Sequence, residues 1–316
     1  MKNKLKTGAV LTCLSIGLLH VVNKCICTAS TLNNMLFWGD GQTFHWRFGN
    51  IYYRKSGSGS PILLIHDLSP FSSSYEWHLL EEELAQKHTV YTLDLLGCGR
   101  SDKPNMTYTN YLYVQLITDF IQKVIGQKTD VAATGLSASF VVMACSTTPD
   151  LFSKLFLVNP ESLEKLVSIP GKRSKIRKFL MEVPVIGTTV YHIMTRRENV
   201  EYLFTEKYFY NPFYVISPMV HAYHEAAHRD DSHGKYLFSS ISGNYVNINI
   251  AQALKHIDNS IVLLLGDHME EAHEISAAYT LINPAIETVF LKNTKFLPQL
   301  ESPQITSTNM SVFLES

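Results

Sequence analysis

A serine with small residues two places before and after it, Gly135-Leu136-Ser137-Ala138-Ser139, is the group best equipped for chemistry in this chain. Asp130 to Thr134 reads as a strand before it, and Phe140 to Cys145 as a helix after it. A sharp strand-to-helix turn lifts a hydroxyl clear of the sheet and tolerates only small side chains at the flanking positions. The chemistry expected is nucleophilic attack by Ser137 Oγ, which at neutral pH needs a base within hydrogen-bond reach.

Two other clusters invite a functional reading. His224-Glu225-Ala226-Ala227-His228 sets two imidazoles one helical turn apart with a carboxylate between them, a zinc-protease spacing. His221 adds an imidazole on about the same face, but a distant third ligand and an upstream edge strand are not evident. Two readings stay open there, zinc and a helix of polar histidines; the second is preferred and no metal is assigned. Lys172-Arg173-Ser174-Lys175-Ile176-Arg177-Lys178-Phe179-Leu180 mingles basic and apolar residues. It reads either as a solvated helix face or as a surface resting on anionic lipid.

The elements that must position these groups follow a rhythm. Apolar runs suited to buried strands occur at Pro61–His66, Thr89–Leu95, Asp130–Thr134 and Leu155–Asn159, with helical spacing between them. Trp46 to Tyr53 alternates around Gly49-Asn50, a hairpin signal. From about 161 to 257 the pattern is helical with no clear strand, and the rhythm resumes at Ile261–Leu265, a helix near Glu274–Leu281, and Glu287–Leu291. Such alternation means a mostly parallel sheet covered on both faces. An insertion beyond the carboxyl ends of the strands forms a lid over the site.

Three landmarks, in order, resemble the α/β-hydrolase family: Ile65-His66-Asp67 after the third strand, Asp94-Leu-Leu-Gly97-Cys98-Gly99-Arg100-Ser101-Asp102-Lys103-Pro104 after the fourth, and the turn at Ser137. The resemblance covers about 270 residues and implies an eight-stranded, mostly parallel sheet flanked by helices, with the inserted helical lid. It implies Ser137 as nucleophile, exposed beneath the lid, with an oxyanion hole from the N–H groups of Leu68 and Ala138. Asp67 stands where the family usually has Gly, and a carboxylate turned inward there would oppose the developing negative charge. The family's acid position holds Met269, within Gly266-Asp267-His268-Met269, and its histidine position holds Phe296, within Thr294–Glu301. Substitute groups exist nearby: His268 with Asp267 and Glu270 as a replacement base and acid, and Glu161 as a relocated acid. His66 is expected to be structural. The bland reading, loop residues with no catalytic part, takes the larger share.

The N-terminus, Met1-Lys-Asn-Lys-Leu-Lys6 followed by an apolar run from Thr7 to Val22, reads as a targeting or anchor segment. The run is short for a spanning helix, which needs roughly 20 residues. An uncleaved anchor is favoured over a signal cleaved after Ala29, with the N-terminus cytoplasmic and the domain outside; cleavage would make the protein secreted. The organisation expected is therefore a segment at 1–30, a linker at 31–44, and one domain at 45–316 with its lid at about 161–257. The net charge of −1 and 17% charged residues give no basis for nucleic-acid binding. Five cysteines without regular spacing argue against a disulfide framework. Two functions remain: a serine hydrolase of esters or similar small apolar acyl compounds, supported by an aromatic-rich lid, and a degenerate relative that binds a small apolar ligand or partner at the membrane. Neither calls for a cofactor, and oligomeric state is not legible.

Overall fold

The computed structural model describes residues 2–37 and 40–315; Met1, Ser316 and, within the expected linker, Trp38 and Gly39 lie outside the described residues. Eight strands make one sheet: β1 (Gln42–Trp46), β2 (Gly49–Gly57), β3 (Ser60–Ile65), β4 (His88–Leu93), β5 (Thr129–Thr134), β6 (Phe152–Val158), β7 (Ile261–Gly266) and β8 (Glu287–Leu291). Their spatial order is β1-β2-β4-β3-β5-β6-β7-β8. β2 runs antiparallel to both its neighbours, and the remaining pairs are parallel. The expected hairpin turns two residues early, at Arg47 and Phe48, because Gly49 already pairs with Trp46.

Helices precede and cover the sheet: α1 (Lys2–Thr31), α2 (His78–Leu84), α3 (Asn110–Phe120) and α4 (Ser137–Thr147). Between β6 and β7 come α5 (Leu163–Leu166), α6 (Lys172–Glu182), α7 (Ile186–Met194), α8 (Arg197–Tyr202), α9 (Ser217–Ser232), α10 (Gly234–Ser242) and α11 (Ala251–His256). α12 (Ala272–Ile282), α13 (Pro298–Glu301) and α14 (Pro303–Glu315) complete the chain. The central strands are buried on both faces, which is why β3 and β7 are nearly continuous apolar runs and β5 carries Val131, Ala132 and Ala133 at its centre. The two-residue period still sorts them. Leu63 and Ile65 join the core beneath α3 and α4, while Ile62 and Leu64 join the one formed with Trp77, Met310 and Phe313.

A third apolar cluster lies within and under the lid. Phe71 and Tyr75 meet Tyr191, Val200, Phe204, Phe209, Met219 and Tyr223 there. Most of the lid's aromatic wealth is thus either spent on its own packing or exposed, as at Tyr202, Phe213 and Tyr214. Burying apolar area at about 25 cal/mol per Å² fixes these helices to the domain.

α1 holds an apolar stretch, Val10–Thr31, of mean hydropathy 1.8, long enough to cross a membrane. Its C-terminal part packs on the lid helices α7 and α9. Asn23 is buried there, donating to Val185 O and Thr189 Oγ1, both at 3.1 Å. Cys27 Sγ meets Ser232 Oγ at 2.9 Å, and Lys24 pairs with Asp231 at 2.5 Å. All five cysteines are free.

Candidate active site at the Ser137 turn

The loop after β4 is held by its own acid. Buried Asp94 accepts from the N–H of Arg100 and of Ser74, each at 2.7 Å, while Ser101 Oγ donates to its carbonyl at 2.5 Å. Gly99, at φ +46°, is required because a Cβ would lie 2.3 Å from Asp94 Oδ2. The motif's job is therefore structural. So is that of His66: Nε2 accepts from Leu95 N–H at 2.9 Å, leaving Nδ1 to donate to Asp67 O at 2.6 Å. Burial lowers the pKa of this imidazole, so it stays neutral.

The turn itself departs from expectation. Ser137 was expected to be exposed on a strained turn, but it is fully buried in the first turn of α4. The left-handed residue is Gly135, at φ +56°, and Ser137 is absent from the positive-φ residues. Ser137 Oγ has no hydrogen-bond partner of any kind, imidazole or other.

Gly135, two residues earlier, is closely crowded. A Cβ there would fall 2.3 Å from Asp67 Oδ1 and 2.9 Å from the Phe296 ring. Asp67 Oδ1 accepts from Leu136 N–H at 2.9 Å, and Leu68 N–H also stabilises this carboxylate. Ala138 N–H reaches Gly135 O at 3.2 Å. Both expected oxyanion donors are thus turned to internal acceptors, and an acidic side chain occupies the start of α4, where a helix N-terminus favours negative charge. Phe296 stacks on Tyr208, centroids 5.3 Å apart. Buried Asn159 fixes its loop, donating to Lys295 O and Phe296 O at 2.9 Å and accepting from Gly266 N–H at 2.9 Å.

Behind Asp67 sits an acid that the sequence reading missed. Glu76 is buried, accepts from Asp67 N–H at 2.9 Å and from Tyr223 O–H at 3.1 Å. Burial, then the neighbouring Asp67, push its carboxyl up to about 8. For Asp67 burial raises the pKa, the Leu136 N–H opposes it, Glu161 raises it further, and Lys165 and the Leu68 N–H oppose; it reaches about 7. Two adjacent carboxyls in low dielectric share protons because both cannot ionise cheaply. An acidic residue in the otherwise apolar Ser74-Tyr75-Glu76-Trp77 was the one available signal.

The substitute groups lie elsewhere. His268 is exposed and stacks on Tyr210, centroids 4.1 Å apart, with Asp267 Oδ1 3.9 Å from its Nε2. Glu270 is exposed and pairs with Lys207 at 2.7 Å. His268, Glu270, Met269, Phe296, Asp67, Glu161, Lys165 and Tyr208 share a cleft of about 500 Å³. A smaller cavity of about 220 Å³, lined by Asp67, Leu68, Leu136 and Tyr208 among others, adjoins it. Ser137 lines neither.

The lid histidines pack against one another. His228 stacks on His192 at 5.0 Å and lies 4.3 Å from His224, ring to ring. His228 Nδ1 meets His224 O at 2.7 Å, and buried Glu225 takes Met35 N–H at 2.5 Å and Arg229 at 2.9 Å. Among the described residues no group of three such side chains is arranged to hold a metal ion.

A buried hydroxyl without a partner costs about 1–3 kcal/mol. Ser137→Ala should therefore stabilise the protein by about 1 kcal/mol, a rise of about 2 °C in Tm by calorimetry. A fall in Tm would mean that the hydroxyl is satisfied after all.

Comparison with known proteins agrees with the fold. Residues 62–299 match the profile of the Alpha/beta hydrolase family. The chain belongs to that family. An uncharacterized protein of Mycobacterium tuberculosis is 32% identical over 117 residues, 37% of this chain and 34% of that protein. The match thus spans about a third of that relative's length. The structure of the epoxide hydrolase CorEH superposes with a TM-score of 0.72 at 19% identity, covering 87% of this chain and 98% of its own. A membrane phospholipase A described as a bacterial virulence factor superposes at 0.69 with 20% identity, covering 100% and 98%. Likeness at these identities concerns the fold, and the second extends it over α1.

Proposed function

We propose that this protein is a membrane-anchored α/β-hydrolase homologue that has given up serine-triad turnover and uses its cleft to bind a small, largely apolar ligand. The observation that carries the reading is the environment of Ser137: buried, without a base, and with both N–H groups an oxyanion would need already taken, that of Leu68 by the Asp67 carboxylate and that of Ala138 by Gly135 O. Met269 and Phe296 line the cleft at the positions that the resemblance gives to the acid and the imidazole, and neither side chain can transfer a proton, although charged residues such as Glu161, Lys165 and Glu206 line the cleft with them. Anchoring by α1 follows from its apolar length and the lysines ahead of it, with the domain on the extracytoplasmic side.

A fluorophosphonate probe tests this. Native protein and Ser137→Ala are expected to label equally, at background, while an active serine hydrolase in the same tube labels fully. Labelling that depends on Ser137 would overturn the reading in favour of ester hydrolysis. That second reading keeps one observation in its favour: the strand-to-helix placement of Ser137 at the head of α4 survives.

A further inference from the structure

The lid carries an exposed apolar surface next to the anchor. On α6, Ile176, Phe179 and Leu180 are 60–68% exposed, and on α7, Ile186, Val190 and Ile193 are 40–60% exposed. α6 packs on α7, and α7 packs on α1 through Val185, Thr189 and Asn23. Soluble surfaces scatter such residues singly; a contiguous set marks an interaction face. Lys172, Arg173, Lys175 and Arg177 are exposed on the same α6, so the face is apolar with a basic margin.

The length of α1 says what covers it. Among the described residues, the first buried side chain by which α1 bonds the lid is Asn23, and the apolar run ahead of it is Thr7 to Val22. At about 1.5 Å per residue that run is roughly 24 Å long. The hydrocarbon core is about 30 Å thick. For α1 to cross, its docked end must sink by roughly 6 Å, carrying α7 and α6 with it. Interfacial helices lie about 5–10 Å deep, at the boundary of headgroups and acyl chains.

We propose that the α6–α7 face of the lid lies in the membrane interface, with its apolar side chains among the acyl chains and its four exposed basic residues on anionic headgroups. The partner is a lipid bilayer bearing negative charge. The inference rests on α1 being an anchor and is independent of what Ser137 does.

Full-length protein in vesicles provides the test, in a background with the exposed Cys13 and Cys25 replaced by Ser. An environment-sensitive dye is placed at Phe179→Cys, at Ile193→Cys, and at Leu281→Cys, which is 84% exposed on α12. Dye at 179 and 193 is expected to shift to the blue and to be quenched several-fold more by a lipid-borne quencher than dye at 281. Phosphatidylglycerol added to phosphatidylcholine should strengthen both effects, and Lys172→Glu with Arg173→Glu and Lys175→Glu should abolish that strengthening. Carbonate extraction of the same vesicles reports α1 separately. Protein that resists extraction while 179 and 193 behave like 281 would overturn the lid contact and leave the anchor standing. Extraction of the protein would overturn both. A blue shift without lipid quenching would mean that another protein copy covers the face, and would overturn the proposal too. Equal quenching in neutral vesicles would overturn its electrostatic part.

Discussion

Combining Asp67→Gly, Met269→Asp and Phe296→His in one chain should raise fluorophosphonate labelling of Ser137 by about 10³-fold above the Ser137→Ala background. A positioned general base is worth about 10²–10⁴ and one oxyanion donor about 10²–10³. The three changes supply an imidazole where Phe296 now stacks on Tyr208, a carboxylate to orient it, and relief of the charge that accepts Leu136 N–H. The single variants should each do little, since groups that act as a unit are far from additive. Asp67→Gly also frees space beside Gly135, whose present crowding accompanies the burial of Ser137. A folded triple variant that labels no better than Ser137→Ala would show that the missing partners are not what silences the serine.

The second large effect concerns pH. Asp67 and Glu76 have folded pKa values of about 7 and about 8, above those of unfolded chains near 4. Between those limits the native state holds more protons than the unfolded state, so stability falls as pH rises. The contribution is fully present below about pH 4 and is lost by about pH 8. Burial lowers the pKa of the lid histidines, His192 to about 4 and His224 to about 3, and these have the opposite sign. Their contribution is present above about pH 6.5 and is lost as pH falls towards those values. Between about pH 6.5 and 7.5 these histidines no longer offset the carboxyls, each of which should take away up to about 1.4 kcal/mol of stability per pH unit; nearer pH 8, Lys103, lowered to about 8 chiefly by burial, begins to oppose them. Asp67→Asn should flatten that limb, because it keeps the acceptor for Leu136 N–H and removes the like charge beside Glu76. An unchanged slope in Asp67→Asn would assign the protons to other groups.

The same pair of acids bears on how much of this site could be read from sequence. Family resemblance singled out the turn at Ser137 and put Met269 and Phe296 at the positions of its partners, because such positions follow one another in a fixed order along the chain. Position 67 was readable as an oddity, a carboxylate where small and neutral is usual. Its consequence was not readable, since it depends on Leu136, which the pairing of β3 with β5 brings beside Asp67 from 69 residues away. Glu76 and Asn159 gave almost no local signal: their partners are 9 to 147 residues away. Substitute residues near the acid position, His268 and Glu270, were judged by proximity in sequence, but contacts to Tyr210 and Lys207 on the lid take their side chains to the cleft rim.

What the sequence determined by itself is the architecture. Apolar runs at β3 and β7 leave no solvated face, so a covered parallel sheet is their only home, and the helical stretch between β6 and β7 can lie only beyond the strand ends. Tertiary structure alone decided whether Ser137 faces a substrate. Ser137 is fully buried, and beside it Asp67 and Phe296 close in on Gly135 from distant parts of the chain. Tertiary structure also decided where the C-terminal part of α1 sits, because buried Asn23 finds its partners at Val185 and Thr189. Periodicity is written locally, whereas the crowding of one turn and the seat of one helix are sums over contacts far apart in the chain.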